Sequence, residues 1–321
     1  MDQSAEKIQE YKGKRGPVLP VPDHFQVNWP WDANSIWTVR KPVEVHSVST
    51  FENAPVTVSF RPQKGRRPLF YLNGKGRSLR PRNLIHGTNN IQLGAIKIIE
   101  HPIAMMLALR LDVDVAIDQP SFPSLDHCTG EYLDALHGHV RRTRRAVRNF
   151  TVDKPILLKY EQGYCIVEPH ESGLFMDHEF EYPGAIGYQR ISVEITPQFF
   201  LFLGRARTPS FRSVEETDQI IAAARAGQLP YPMHEENVLF ADVNGLRNPR
   251  EIFDYNGHNY EFILHELIDV MAFLKLVESE LGGRFRGKLT TRKFGHGDQI
   301  LAARTMVSPE FLEDPGYRWL D

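Results

Sequence analysis

The chain has 321 residues, 41% apolar and 24% charged, a composition that suits a globular protein burying one large core or two of about 150 residues each. A formal net charge of −2 excludes the polycationic footprint of a nucleic-acid binder, and two cysteines, Cys128 and Cys165, cannot staple a secreted fold of this size. Neither a run of about 18 apolar residues nor a signal-peptide core is present, so the expected location is cytoplasmic, with contact to a membrane surface left open.

Residues 1–37 carry Pro17, Pro20, Pro22 and Pro30 without a period and read as an irregular extension. Alternation and β-branched residues predict strands over 38–46 and 55–60, and another over 69–72. The run 96–111 reads as a helix that starts near Glu100 and His101, because Pro102 is tolerated only in a first turn. Residues 112–118 alternate as a strand, and a helix is predicted over 131–139. The basic run 141–148 reads as a solvated linker or helix face, or else as a contact to phosphate or an anionic surface. A second strand-rich block is predicted at 155–160, 163–168, 174–182 and 190–195, followed by a short helix over 197–203. A helix over 213–226, a strand over 236–242 and a long helix over 260–281 come next. A strand over 284–291 and a helix from near residue 297 close the chain. Strands and helices run through the same order twice. That predicts an α+β fold of two similarly built domains, 38–150 and 151–321, behind the extension 1–37.

Three places carry chemistry. In LHELIDVMAFLKL (264–276), His265 and Asp269 stand four apart, on one face of a helix, as half a site for a divalent metal. The competing reading is a surface or capping pair, but Leu264, Leu267, Ile268 and Val270 around it imply burial, where charge needs a partner. Glu100 and His101 read as a first-turn stabiliser beside a core histidine, or as reactive groups at a helix start. His296 between two glycines reads as a turn residue, or as a group that approaches a ligand closely.

In order, IEH (99–101), PSLD (123–126), GRART (204–208), HELID (265–269) and KFGH (293–296) resemble the UDP-3-O-acyl-N-acetylglucosamine deacetylases of lipid A biosynthesis, the LpxC family. That family reads T-V-E-H, P-I-L-D-G-S, A-R-T-F, H-K-x-x-D and S/G-G-H at these places. VHS (45–47) matches its L-H-S/T, and Leu246, Asn248 and Pro249 match its N-P-x-G-L region. The joint order, from residue 38 to 305, carries the likeness.

The resemblance implies two β-α-α-β sandwich domains with the active site between them. It implies His101, His265 and Asp269 as ligands of Zn²⁺, a set that also accepts Fe²⁺, with a fourth position for water. Glu100 is implied as general base and His296 as the cation that stabilises the oxyanion and protonates the leaving amine. Thr208 is implied as a hydroxyl that helps hold the oxyanion. His46 and Lys293 are implied near a nucleotide diphosphate. Phe211, with Ile220, Ile221 and Leu229, would line an acyl-chain passage or belong to the core. The implied partner is a UDP-linked acylated amino sugar, with no nucleic acid, and a monomer is expected.

The chain departs from the family in three ways. The family's lysine after the first histidine of H-K-x-x-D is Glu266, and a carboxylate there would repel a diphosphate. The aspartate eight residues after that histidine, which orients the catalytic histidine, is Phe273. The D-G-S turn is Asp126-His127-Cys128, and A-R-T-F ends in Pro209. The alternatives are therefore a divergent zinc deacetylase of another N-acylated amino sugar, or a non-catalytic ligand-binding relative.

Overall fold

The computed structural model describes residues 18, 34–123, 128–230 and 233–320. Most of the extension 1–37, and Ser124, Leu125, Asp126 and His127 of the second motif, lie outside the described residues. Among the described residues, regular structure starts at Trp37, and mixed helix and strand content makes the fold α+β.

One five-stranded sheet is built from β1 (Val43–Val48), β2 (Pro55–Pro62), β3 (Leu69–Leu72), β4 (Lys75–Ser78) and β5 (Val113–Ile117), in the spatial order β1-β2-β5-β3-β4. A second is built from β6 (Ile156–Lys159), β7 (Tyr164–Pro169), β8 (Leu174–Tyr182), β9 (Gly187–Glu194) and β10 (Gly287–Arg292), in the order β6-β7-β10-β8-β9. The pairing sense is the same in both: β5 runs parallel to β3 and β10 parallel to β8, while every other neighbour is antiparallel. The alternation of β1 puts Val43 and Val45 inward and Glu44 and His46 outward. The middle strand β5 is buried on both faces.

A parallel pair needs a crossover, and here each crossover contains a helix. The first contains α1 (Glu100–Ala108), after which come α2 (Gly130–Leu136), α3 (Pro197–Leu203) and α4 (Val214–Arg225). The second crossover ends in α5 (Glu261–Leu281), and α6 (His296–Met306) and α7 (Pro309–Glu313) follow β10. Local signals set several of these boundaries. Thr196 caps α3 with Pro197 in the first turn, and Ser213 and Glu216 form a capping box on α4. Gly282, left-handed at φ 77, ends α5. The helices α1 and α5 pack on one another, and their facing side chains belong to one continuous core. No described helix is long and apolar enough to cross a membrane.

Some expected elements differ. The helix expected over 131–139 stops at Leu136, because Gly138 turns left-handed at φ 75. The strand expected over 284–291 is two: Arg284–Phe285 pairs parallel with residues 149–150, and only Gly287–Arg292 enters the second sheet. The basic run is no helix face: Val140–Arg142 pairs antiparallel with Trp37–Val39, and exposed loop follows. The strands between 75 and 97 went unread, since Lys75–Ser78 is polar and Leu84–Gly87 is short and does not alternate. Asn73-Gly74, at φ 48 and 80, was the available signal, because both residues of a type I′ hairpin turn need positive φ.

The GRART segment is tied to the start of α5 by a buried ion pair. Arg207 Nε and Nη2 donate to the two oxygens of Glu261 at 2.7 and 2.8 Å, and its other donors reach the carbonyls of Glu235 and Asn248. Breaking a buried pair strands a charge. Arg207→Met is expected to lower the unfolding free energy by about 3–5 kcal/mol in urea titrations, and a loss near zero would show that the pair does not hold this loop.

Candidate active site

The site forms where α1 meets α5. Ile98, at φ 61, turns the chain sharply two residues before Glu100, a conformation that costs a β-branched residue about 1–3 kcal/mol. Pro102 then sits in the first turn of α1, so Glu100 and His101 project from the helix start. The edge of the His101 ring meets that of His265 on α5, with centroids 5.1 Å apart and planes at 86°. One turn along α5, Asp269 Oδ1 lies 3.4 Å from His101 Nε2 and Asp269 Oδ2 lies 3.8 Å from His265 Nε2.

His265 Nδ1–H donates to the Ala206 carbonyl at 2.9 Å, which leaves the Nε2 lone pair facing Asp269. Burial pushes its pKa down to about 4, so the imidazole is neutral, the form that ligates metals. Burial disfavours the charged form of Asp269, but the fields of His296, then His265 and His101, outweigh it and hold the carboxyl well below its usual range. Asp269 Oδ1 is buried and accepts no hydrogen bond from the described residues. A buried carboxylate oxygen without a donor suits a cation. One ligand atom from each of His101, His265 and Asp269 lies within 4.8 Å of the others, so two imidazoles and a carboxylate fit a divalent metal.

Glu100 is buried, and its Oε2 accepts the Ile91 N–H at 2.9 Å. Burial raises its pKa against the pull of His296 and His101, which moves a carboxylate towards the range useful for a general base. His296 opens α6, with Nε2 3.8 Å from Asp269 Oδ2. Burial opposes its charge, and Asp269 and Glu100 outweigh that, so its pKa is raised.

Phe273 leaves His296 without the carboxylate expected beside it, and the structure supplies a different partner. Gln299 Nε2 donates to the Phe294 carbonyl at 2.9 Å, which turns Gln299 Oε1 towards His296 Nδ1 at 3.3 Å. Phe273 meets the ring of Phe294 edge-on at 5.3 Å, so residue 273 holds the same loop by apolar packing. The signal for Gln299 was its position three residues after His296 on a helix.

The metal-fitting cluster opens into a cavity of about 660 Å³. Thr208 and Phe211 line it, with Tyr182 and Phe262, and the Tyr182 ring lies 5.4 Å from Phe211 and 4.5 Å from Phe262. His86 and Asn89 line it from the polar hairpin that sequence reasoning passed over. Glu266 also lines it, and burial, with Asp269 adding, pushes its carboxyl up to about 7.

The other expected residues stand elsewhere. His46 is exposed on β1, with Nδ1 3.2 Å from Thr57 Oγ1, and does not line the cavity. Lys293 is exposed at φ 46 and does not line it either. Ile220 and Ile221 pack with Val238 and Phe240 in a separate small core, and Leu229 is absent from the cavity wall.

A family model described as LpxC, UDP-3-O-acyl N-acetylglycosamine deacetylase, matches residues 37–308. The chain belongs to that family. Similar proteins include the UDP-3-O-acyl-N-acetylglucosamine deacetylase of Anaeromyxobacter sp. (strain Fw109-5), 26% identical over 69% of this chain and 70% of its own. The enzyme of that name from Aquifex aeolicus (strain VF5) is 23% identical over 86% of this chain and 94% of its own. The one from Nitratidesulfovibrio vulgaris is 24% identical, and the match spans 60% of this chain and 59% of that relative's length. LpxC membership makes this chain a deacetylase by family, and low identity along most of its length marks it as a divergent member.

Asp269→Ala is expected to leave the purified protein without stoichiometric metal in elemental analysis, and His265→Ala likewise. A full equivalent retained by both variants would remove this cluster as the metal site.

Proposed function

We propose that this chain is a zinc-dependent amidohydrolase that removes the N-acetyl group of UDP-3-O-acyl-N-acetylglucosamine in lipid A biosynthesis. The observation that carries the reading is the convergence of His101, His265 and Asp269, with Glu100 and His296 electrostatically coupled to the same carboxylate. The names of the relatives supply the substrate. Zn²⁺ bound there, or Fe²⁺ in its place, would supply Lewis acidity towards the amide carbonyl and acidify a water. Glu100 accepts that water's proton, as its raised pKa and its place at the start of α1 support. His296 donates a proton to the departing amine nitrogen, and its raised pKa supports a protonated resting form. Thr208 offers its hydroxyl to the developing oxyanion. The wall of Tyr182, Phe211 and Phe262 would receive the acyl chain.

The same reading takes the chain as two β-α-α-β sandwich domains, 38–150 and 151–321, with the site at their junction. The shared strand order of the two sheets supports it, as does the origin of the ligands on α1 and α5. The two free, buried cysteines support a reducing cytoplasm.

A second reading, an N-acylated amino sugar without the nucleotide, is favoured by Glu266 and by the lack of lysine and arginine among the described residues lining the cavity. Turnover of the UDP-linked substrate and of the same sugar without UDP, side by side, separates the two.

Glu100→Ala is expected to lower kcat by about 10²- to 10⁴-fold with the metal retained, and turnover at the wild-type rate would overturn the mechanism. Gln299→Leu is expected to lower kcat roughly 10-fold or more with KM and metal content unchanged, and Gln299→Glu to restore it. Equal kcat in all three proteins would show that Gln299 does not position His296.

A further inference from the structure

A second charged cluster is buried towards the other end of α5, and deacetylation does not use it. Between Asp269 and Glu278 the helix rises by roughly 14 Å. Four cations, Arg110, Arg145, Lys275 and Arg284, surround two carboxylates, Asp112 and Glu278. Arg284 bridges both acids, with Nη1 2.9 Å from Glu278 Oε2 and Nη2 on Asp112 Oδ1. Arg145 Nη2 holds the other oxygen of Asp112 at 2.6 Å, and the Phe285 N–H occupies Glu278 Oε1 at 2.9 Å.

Lys275 is left over. Its side chain is 2% exposed, and its ammonium stands 3.7 Å from Asp112 Oδ1 and 3.6 Å from Glu278 Oε2, outside hydrogen-bond reach. None of its three donors is hydrogen-bonded to a described residue. Burial, then Arg284, presses its pKa down to about 8. The C-terminal dipole of α5 offsets part of the cationic excess, but Arg67 already takes the Ser279 and Glu280 carbonyls at that end. A buried cluster with cations in excess lacks a negative partner.

The space for that partner adjoins the cluster. Lys275, Arg284 and Arg145 line a cavity of about 170 Å³, with Arg66 and Arg148 also in its wall. Among its described lining the acids are only the two already engaged. It shares Gln63, Arg66 and Arg145 with a groove of about 760 Å³. That groove has no acidic residue in its described lining and includes Arg141, Arg142 and Arg144 from the basic run, all exposed. Thr38 lines the groove too, with a buried hydroxyl that has no hydrogen-bond partner among the described residues.

We propose that this cavity is an anion site that takes a phosphate group onto Lys275, Arg145 and Arg284, with the groove arginines receiving further phosphoryl oxygens. An ammonium and guanidinium forks match a tetrahedral oxyanion, and charge-assisted bonds to it would use the idle Lys275 donors. The site shares no residue with the deacetylase cavity, so its test is independent of turnover.

The test is calorimetric titration of the full-length, metal-loaded protein with inorganic phosphate and with pyrophosphate at low ionic strength. Cosedimentation with phosphatidylglycerol and phosphatidylcholine vesicles runs beside it. Saturable binding is expected, weakened about tenfold or more by Lys275→Met and by Arg145→Ala, the cost of one charge-assisted contact. Arg145 is half-exposed, and urea midpoints check that both variants fold. A response to free phosphate assigns a soluble ligand, and binding to phosphatidylglycerol vesicles alone assigns a lipid headgroup. Binding that neither substitution weakens, or no binding to any probe, overturns the proposal.

Discussion

The packing of α1 against α5 is the constraint on which the molecule turns. Each sheet contains one parallel pair of strands, and a parallel pair cannot close without a crossover. Each crossover carries a helix that is apolar almost all round, and each finds its partner in the other. A helix buried on every side tolerates a charged residue only where another charge or an ion meets it. Glu100, His101, His265 and Asp269 are among those residues, and they stand where the two helices meet.

The parts of this arrangement that obey local rules were legible. Pro102 located the start of α1, and the four-residue spacing of His265 and Asp269 placed them on one face of α5. Strand 174–182 and helix 197–203 match their expected bounds, because alternation and a Thr-Pro cap are written within a few residues. Contacts made across the chain left no such trace. Arg207 and Glu261 are 54 positions apart, and nothing near either residue announces the pair. The strands at 84–87 and 90–93, which bring His86 and Asn89 to the cavity, are four residues each, too short for their pattern to stand out. Gln299 stands between: its spacing from His296 was readable, but its role depends on Phe273, on another helix.

Electrostatics organises α5 at two places. Near its start, a neutral imidazole, a second whose pKa, against burial, Asp269 raises, and one strongly acidic carboxylate leave an oxygen without a donor among the described residues. Towards its end, two carboxylates are outnumbered, and a lysine that ion-pairs with both makes no hydrogen bond among the described residues. One site is short of positive charge and the other of negative. The intervening helix is packed with Val270, Ala272, Phe273 and Leu274, and it is the distance along it that separates the two clusters.

The Ala206 carbonyl has a consequence for how a metal would come and go. It fixes which nitrogen of His265 bears the proton, and it is itself fixed by Arg207 on the next residue. The orientation of this one ligand is thus set by the chain around it. One cation should be exchangeable for another in the native protein, with the cavity mouth setting the rate of exchange.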